Sequence, residues 1–119
     1  MSEPLRFVVL HHAGIDDPHF DFMFETSGES QLTTFRLPQW PLHETQPAVK
    51  LRDHRRVYLT LQGDISLGRG RVDRVDEGEI QVTQTAAGWD LRIGDRFHLQ
   101  FEPDRGGPPE NWWARVCER

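Results

Sequence analysis

An aromatic ring recurs at every second position in His19-Phe20-Asp21-Phe22-Met23-Phe24-Glu25. Successive side chains of a strand point to opposite faces, whereas a helix would scatter these rings around its circumference. Phe20, Phe22 and Phe24 are therefore expected on a buried face, and His19, Asp21, Met23 and Glu25 on the other. A strand with one strongly apolar face needs further strands or helices to cover it, so this repeat constrains what the rest of the chain must supply.

The rest of the chain supplies strands. Segment 6–11 reads as a buried strand through Phe7, Val8, Val9 and Leu10, and segment 31–37 carries Leu32, Phe35 and Leu37. Alternation recurs at 57–62 (Val57, Leu59, Leu61), 79–84 (Ile80, Val82), 89–93 (Trp89, Leu91, Ile93) and 96–102 (Phe97, Leu99, Phe101), and a Trp-rich segment spans 111–117. Ser27-Gly28, Glu77-Gly78, Ala87-Gly88 and Gly94-Asp95 mark turns, the last separating two alternating runs as a hairpin does. No segment of ten or more residues carries helical periodicity. One short helical turn is expected within the Pro-rich stretch 38–47, otherwise a long loop, and 103–109 reads as another loop. The expected fold is all-β: a small antiparallel β-barrel with long loops and at most one short helix. The 119 residues suffice for one domain with its own core.

Several function classes are excluded at this level. The single cysteine, Cys117, rules out an intramolecular disulfide and a thiolate zinc cluster, and its apolar neighbours make it read as a small core residue. No apolar run approaches the ~18–20 residues of a membrane helix, and the N-terminus lacks the pattern of a secretory signal, so a cytoplasmic protein without membrane contact is expected. A formal charge of −5 is not the footprint of a non-specific nucleic-acid binder. The basic residues are clustered, however: Lys50, Arg52, Arg55 and Arg56 surround His54, and Arg69, Arg71 and Arg74 follow. Such clusters read either as solvated faces or as local phosphate sites.

Two constellations carry chemistry. His19 and Asp21 share a strand face, and His12 is fed towards them by a loop containing Gly14, Asp16, Asp17 and Pro18. Two imidazole nitrogens and a carboxylate within ~2.0–2.2 Å of one ion suit Mn²⁺, Zn²⁺ or Fe²⁺ and leave positions open for water or substrate. A pair of surface histidines beside an acidic loop is the alternative the residues leave open. In the second constellation, Asp53-His54-Arg55-Arg56-Val57-Tyr58, a strand would put His54, Arg56 and Tyr58 on one face. A histidine, a phenol and nearby arginines are the donors a phosphoryl oxyanion needs. His43 and His98 stand singly and read as surface or core-edge residues.

Together these segments resemble the 3′-phosphoesterase domain of bacterial DNA ligase D, which also occurs as stand-alone proteins. Its first motif, a histidine and alanine, a short basic loop, then His-Tyr-Asp-Phe-Arg-Leu-Glu, is similar to His12-Ala13-Gly14 … His19-Phe20-Asp21-Phe22-Met23-Phe24-Glu25. Its second, Glu-Asp-His-Pro-x-x-Tyr followed by Phe-Glu-Gly, is similar to Arg52-Asp53-His54-Arg55-Arg56-Val57-Tyr58 and Leu61-Gln62-Gly63. Its Tyr-Gly-x-Gly segment is similar to Leu67-Gly68-Arg69-Gly70. The resemblance runs from about residue 6 to Trp113-Ala114-Arg115-Val116.

The resemblance implies that His12, His19 and Asp21 bind Mn²⁺ or another divalent metal such as Zn²⁺ and that His54 and Tyr58 are catalytic and engage the scissile phosphate; the clustered charge adds Arg56, Arg69 and Arg71 as candidates for binding phosphate beside His54. The implied reaction removes a 3′-phosphate or 3′-ribonucleoside from a nucleic-acid end, at a concave outer face of a barrel. A monomer acting alongside a separate repair ligase or polymerase is the corresponding expectation. A relative that binds metal and a phosphate or nucleic-acid end without turnover is the alternative.

Three departures bear on activity. Met23 stands where the family has a phosphate-binding arginine, and a thioether makes no charge-assisted contact to an oxyanion. One missing donor of this kind corresponds to a loss on the order of 2–4 kcal/mol in transition-state stabilisation. The loop from His12 to His19 is one residue longer and acidic through Asp16 and Asp17, and Gln46 replaces a further arginine. Arg55, Arg56, Arg69 or Arg71 are the candidates to supply the missing charge from another direction, and activity gained by Met23→Arg would show that the departure at 23 is what silences turnover.

Overall fold

The computed structural model describes residues 4–13, 16–60 and 71–117. Eight strands form it: β1 Leu5–Ala13, β2 His19–Glu25, β3 Leu32–Leu37, β4 Gln46–Lys50, β5 Arg71–Thr85, β6 Gly88–Ile93, β7 Phe97–Pro103 and β8 Asn111–Val116. They close into a barrel in the order β1-β2-β3-β4-β8-β7-β6-β5, every neighbour antiparallel, with β5 returning to β1. Closure removes the unpaired edges that an open sheet of this size would present. Among the described residues no helix is long and apolar enough to cross a membrane.

The aromatic repeat fills the barrel. Phe22 and Phe24 lie in the interior with Phe7, Phe35 and Phe101, each at most 1% exposed, and Phe20 packs at its margin. Phe22 stacks on Phe7 and on Phe101, both at 5.7 Å between ring centroids, and Phe35 meets Phe101 at 4.5 Å. Eight strands enclose a space that side chains can fill, and these offset and tilted rings make the core. Trp40, Trp89 and Trp112 sit half-buried at its margin.

A second apolar cluster lies on the outside of β1–β3. Val8, Leu10, Met23 and Leu32 point outward but are covered by Tyr58 and Leu59, with Val72 alongside. The cover is a 3-10 turn, Arg56–Leu59. This explains why Phe7 to Leu10 is apolar without alternation: β1 is buried on both faces there.

Three expectations are corrected. The 57–62 segment is no strand: its alternating residues lie in the 3-10 turn, where Leu59 is buried and Val57 is 49% exposed, and 61–62 lie outside the described residues. The helical turn expected in 38–47 is absent; bends around a cis Trp40–Pro41 bond lead instead into β4, which carries Pro47. The β3–β4 ladder joins only Phe35 to Lys50 and Arg36 to Val49, so Pro47 lies beyond it and its missing N–H breaks no bond on that side. The 79–84 strand extends to Arg71–Thr85, so Glu77-Gly78 lies inside it, paired with Val8 and Phe7, and marks no turn. Its charged first half is held by backbone pairing with β1, through a bulge where Val9 opposes Asp76 and Leu10 opposes Arg74, rather than by an apolar face.

The turns are local chemistry. The β6–β7 hairpin closes through residues 94–96, one more than the sequence suggests, with Gly94 in the left-handed region at φ 52°. Gly88, at φ 144°, opens β6 where an added Cβ would lie 2.0 Å from the Phe101 carbonyl oxygen, so no other residue fits.

Asp76 locks the bulge to the rest of the barrel. Its carboxylate accepts the Trp40 indole N–H at 3.0 Å and both Arg96 amino groups at 3.1 and 2.6 Å. Burial pushes its pKa up, but the hydrogen bonds from Arg96 and Trp40, the Arg96 charge and the Glu77 backbone N–H together hold it below the usual carboxylate value. Because the folded pKa is the lower one, the unfolded chain binds more protons as pH falls, and this contribution to stability, present above about pH 4, is lost as pH drops through the folded value. Asp76→Asn should therefore lower the urea midpoint at pH 7 and flatten its fall between pH 5 and 2.5. An unchanged acid dependence in the variant would assign that fall to other carboxylates.

Candidate functional site

The outer face of β1–β3 carries the predicted metal ligands in register. His12 pairs with His19, and the next outward row runs Leu10, Asp21, Arg36. The antiparallel ladder thus brings His12 beside His19 although six residues separate them, two of which, Gly14 and Ile15, lie outside the described set.

His19 is 7% exposed. Its Nδ1–H donates to the Asp17 carbonyl at 2.9 Å, which leaves Nε2 as the ring nitrogen free to meet another group. That Nε2 is buried, has no hydrogen-bond partner among the described residues, and lies 3.7 Å from Asp21 Oδ2. The gap is too long for a hydrogen bond. Two donors each ~2.1 Å from one ion at the tetrahedral angle stand ~3.4 Å apart, so the His19–Asp21 spacing fits a shared cation. His12 does not complete this arrangement: its ring meets His19 edge-on at 5.1 Å between centroids. Among the described residues no three His, Cys, Asp or Glu side chains are gathered as a ready metal site.

Asp21 is held from its other side. Arg36 Nε donates to Asp21 Oδ1 at 3.2 Å, with the aspartate side chain 14% and the arginine side chain 40% exposed. Sequence reasoning did not single out Arg36. Its only signal was its place in segment 31–37, and the strand register that sets it opposite Asp21 cannot be read from one segment.

The second constellation forms differently from the expected strand. His54 joins β3 by an isolated bridge, its N–H donating to Leu32 O at 2.9 Å and its carbonyl accepting from Leu32 N–H at 2.8 Å. Its ring meets that of Tyr58 edge-on at 5.5 Å. Tyr58 lies over the outer cluster that contains Leu10, the register partner of Asp21, and Val72, the partner of His12. Tyr58 therefore shares the face of the histidine pair. Leu32 opposes Glu25, four residues along β2 from Asp21, so the His54 backbone stands about 13 Å from the Asp21 row along the strand direction.

The predicted phosphate-binding arginines separate. Arg56 is committed to structure: Nη2 pairs with Glu25 Oε2 at 2.7 Å, and Nη1 donates to Ser30 O at 2.8 Å. Glu25 is 3% exposed and also accepts the Arg6 backbone N–H at 2.8 Å, so this ion pair neutralises a buried charge and pins the 3-10 turn to β2. Arg71, at the start of β5, pairs with Asp73 at 3.0 Å, and Arg69 lies outside the described residues. Met23 is 2% exposed beneath the turn. Of the face expected to be polar at 19, 21, 23 and 25, only Asp21 is thus not fully buried.

Elsewhere, His98 lies 2.7 Å from Asp90 Oδ1, which also accepts from Gln100 at 3.0 Å. Burial raises the Asp90 pKa, but the Gln100 and His98 hydrogen bonds bring it below its usual value. Cys117 is half-buried at the end of β8 rather than in the core, and burial, then the Asp90 charge, raises its thiol pKa, the opposite of what a nucleophile needs.

Neither a scan of protein-family models nor a search of curated proteins finds a match to the chain.

Proposed function

We propose that the chain is a divalent-metal-dependent phosphoesterase that removes a 3′-phosphate or 3′-terminal ribonucleoside from nucleic-acid ends, as its resemblance to the ligase D domain implies. What supports the reading is the His19–Asp21 pair: a buried imidazole Nε2 with no hydrogen-bond partner among the described residues stands 3.7 Å from a carboxylate oxygen, a spacing that a shared cation fits. His19 and Asp21 would hold a divalent ion there, with His12 turning in as the third ligand, and the ion when bound would polarise a phosphoryl oxygen and lower the pKa of water. The Asp17 carbonyl fixes the His19 tautomer for that role. Tyr58, on the same face, would donate its hydroxyl to the phosphoryl group, with the His54 ring packed edge-on against it as a positioning group.

A second reading, metal and phosphate binding without turnover, is favoured by the edge-on His12 ring and by the burial of position 23. One assay separates the two. Purified protein with Mn²⁺ is given a primer-template ending in a 3′-phosphate or a single 3′-ribonucleotide, with a generic phosphomonoester in parallel. The expected result is a 3′-hydroxyl end that disappears on chelation. Metal binding without product at stoichiometric protein would establish the second reading for those substrates.

A further inference from the structure

The row Leu10, Asp21, Arg36 places one guanidinium directly against the candidate site. Arginine carries five N–H donors in a planar fork. Arg36 uses Nε on Asp21 Oδ1, and among the described residues its Nη1 and Nη2 groups have no partner. The side chain is 40% exposed, so those groups face solvent beside the His19–Asp21 pair rather than the barrel interior. The carboxylate holds the fork in one orientation before any ligand arrives, which reduces the ordering cost of binding. The neighbouring cations are spent elsewhere: Arg56 on Glu25 and Ser30, Lys50 on Asp53, and Arg74 on Glu77.

We infer that Arg36 is the anion-binding guanidinium of this site, oriented by Asp21 through Nε and presenting Nη1 and Nη2 to two oxygens of a terminal phosphate. This rests on the reading that the face takes a phosphate-bearing end, and it assigns the charge absent at Met23 to the adjacent strand. A planar fork offering two parallel N–H groups fits a phosphate monoester, which has oxygens to match both, better than a neutral 3′-hydroxyl end.

The test compares two single-stranded oligonucleotides of one sequence, ending in a 3′-phosphate or a 3′-hydroxyl, by calorimetric titration of metal-free protein. The wild type should prefer the phosphate end by about tenfold or more, and Arg36→Met should abolish that preference. Arg36→Lys, which keeps charge but loses the fork, should retain part of it. Arg92→Met, on the opposite wall of the barrel and 57% exposed, serves as a charge control and should leave it unchanged. Thermal unfolding of each variant reports on folding. No preference in the wild type, or an equal preference in Arg36→Met, overturns the inference. Its failure is distinct from that of the phosphoesterase reading: turnover with Mn²⁺ in a folded Arg36→Met protein that keeps its phosphate preference sinks the role of Arg36 alone. A preference that vanishes in Arg36→Met, from a wild type that never turns over, sinks catalysis alone.

Discussion

Met23→Arg should destabilise the protein by about 3–5 kcal/mol rather than restore a phosphate contact. Position 23 is 2% exposed and packs with Val8, Leu10, Leu32 and Leu59 beneath the 3-10 turn. A guanidinium there either loses its hydration in an apolar layer or displaces the turn. The nearest buried acid, Glu25, is already neutralised by Arg56. Displacing the turn would also strip Tyr58 from the site face, so activity should fall with stability. Met23→Leu, nearly equal in volume, should cost less than about 1.5 kcal/mol. Urea denaturation of the two variants beside the wild type reads the difference. A stable Met23→Arg protein with raised turnover would mean that the turn opens in solution and that the outer cluster is not closed as described.

His19→Ala and Asp21→Asn should each weaken Mn²⁺ binding at least about a hundredfold, since loss of an outer-shell partner alone typically costs 10–100-fold. The two substitutions differ in what else they disturb. His19→Ala empties a buried ring position and releases the Asp17 carbonyl, so it should also lower the melting temperature. Asp21→Asn keeps shape and replaces the Arg36 ion pair with a neutral hydrogen bond, so its effect on metal should exceed its effect on stability. His43→Ala, exposed and remote in sequence, should change neither. Titration of Mn²⁺ followed by its electron paramagnetic resonance signal decides the matter. Equal affinity in wild type and Asp21→Asn would remove the carboxylate from the metal site.

Much of the fold was readable wherever one face of a strand is apolar. β2 occupies 19–25 as the Phe repeat requires, and Leu91, Ile93, Leu99 and Phe101 enter the core from the two strands of the predicted hairpin. Reading failed where something other than alternating burial holds the backbone. β4 carries a proline and is held by two neighbours, the first half of β5 carries charges and is held by β1, and the 3-10 turn mimics strand alternation with Val57 and Leu59. At the site, His19 and Asp21 were legible because i and i+2 share a strand face. Arg36 was not, because its place beside Asp21 depends on the register between two strands.

The sequence by itself determined that the chain is a β-barrel and that His19 and Asp21 present their side chains together, since both follow from a period of two acting within single strands. Only the tertiary structure decided which face stays open. Wrapping the 56–59 turn over β1–β3 seals Met23 and Glu25 while leaving Asp21 and Arg36 partly exposed. That outcome depends on packing between segments distant in sequence, and no local pattern encodes it.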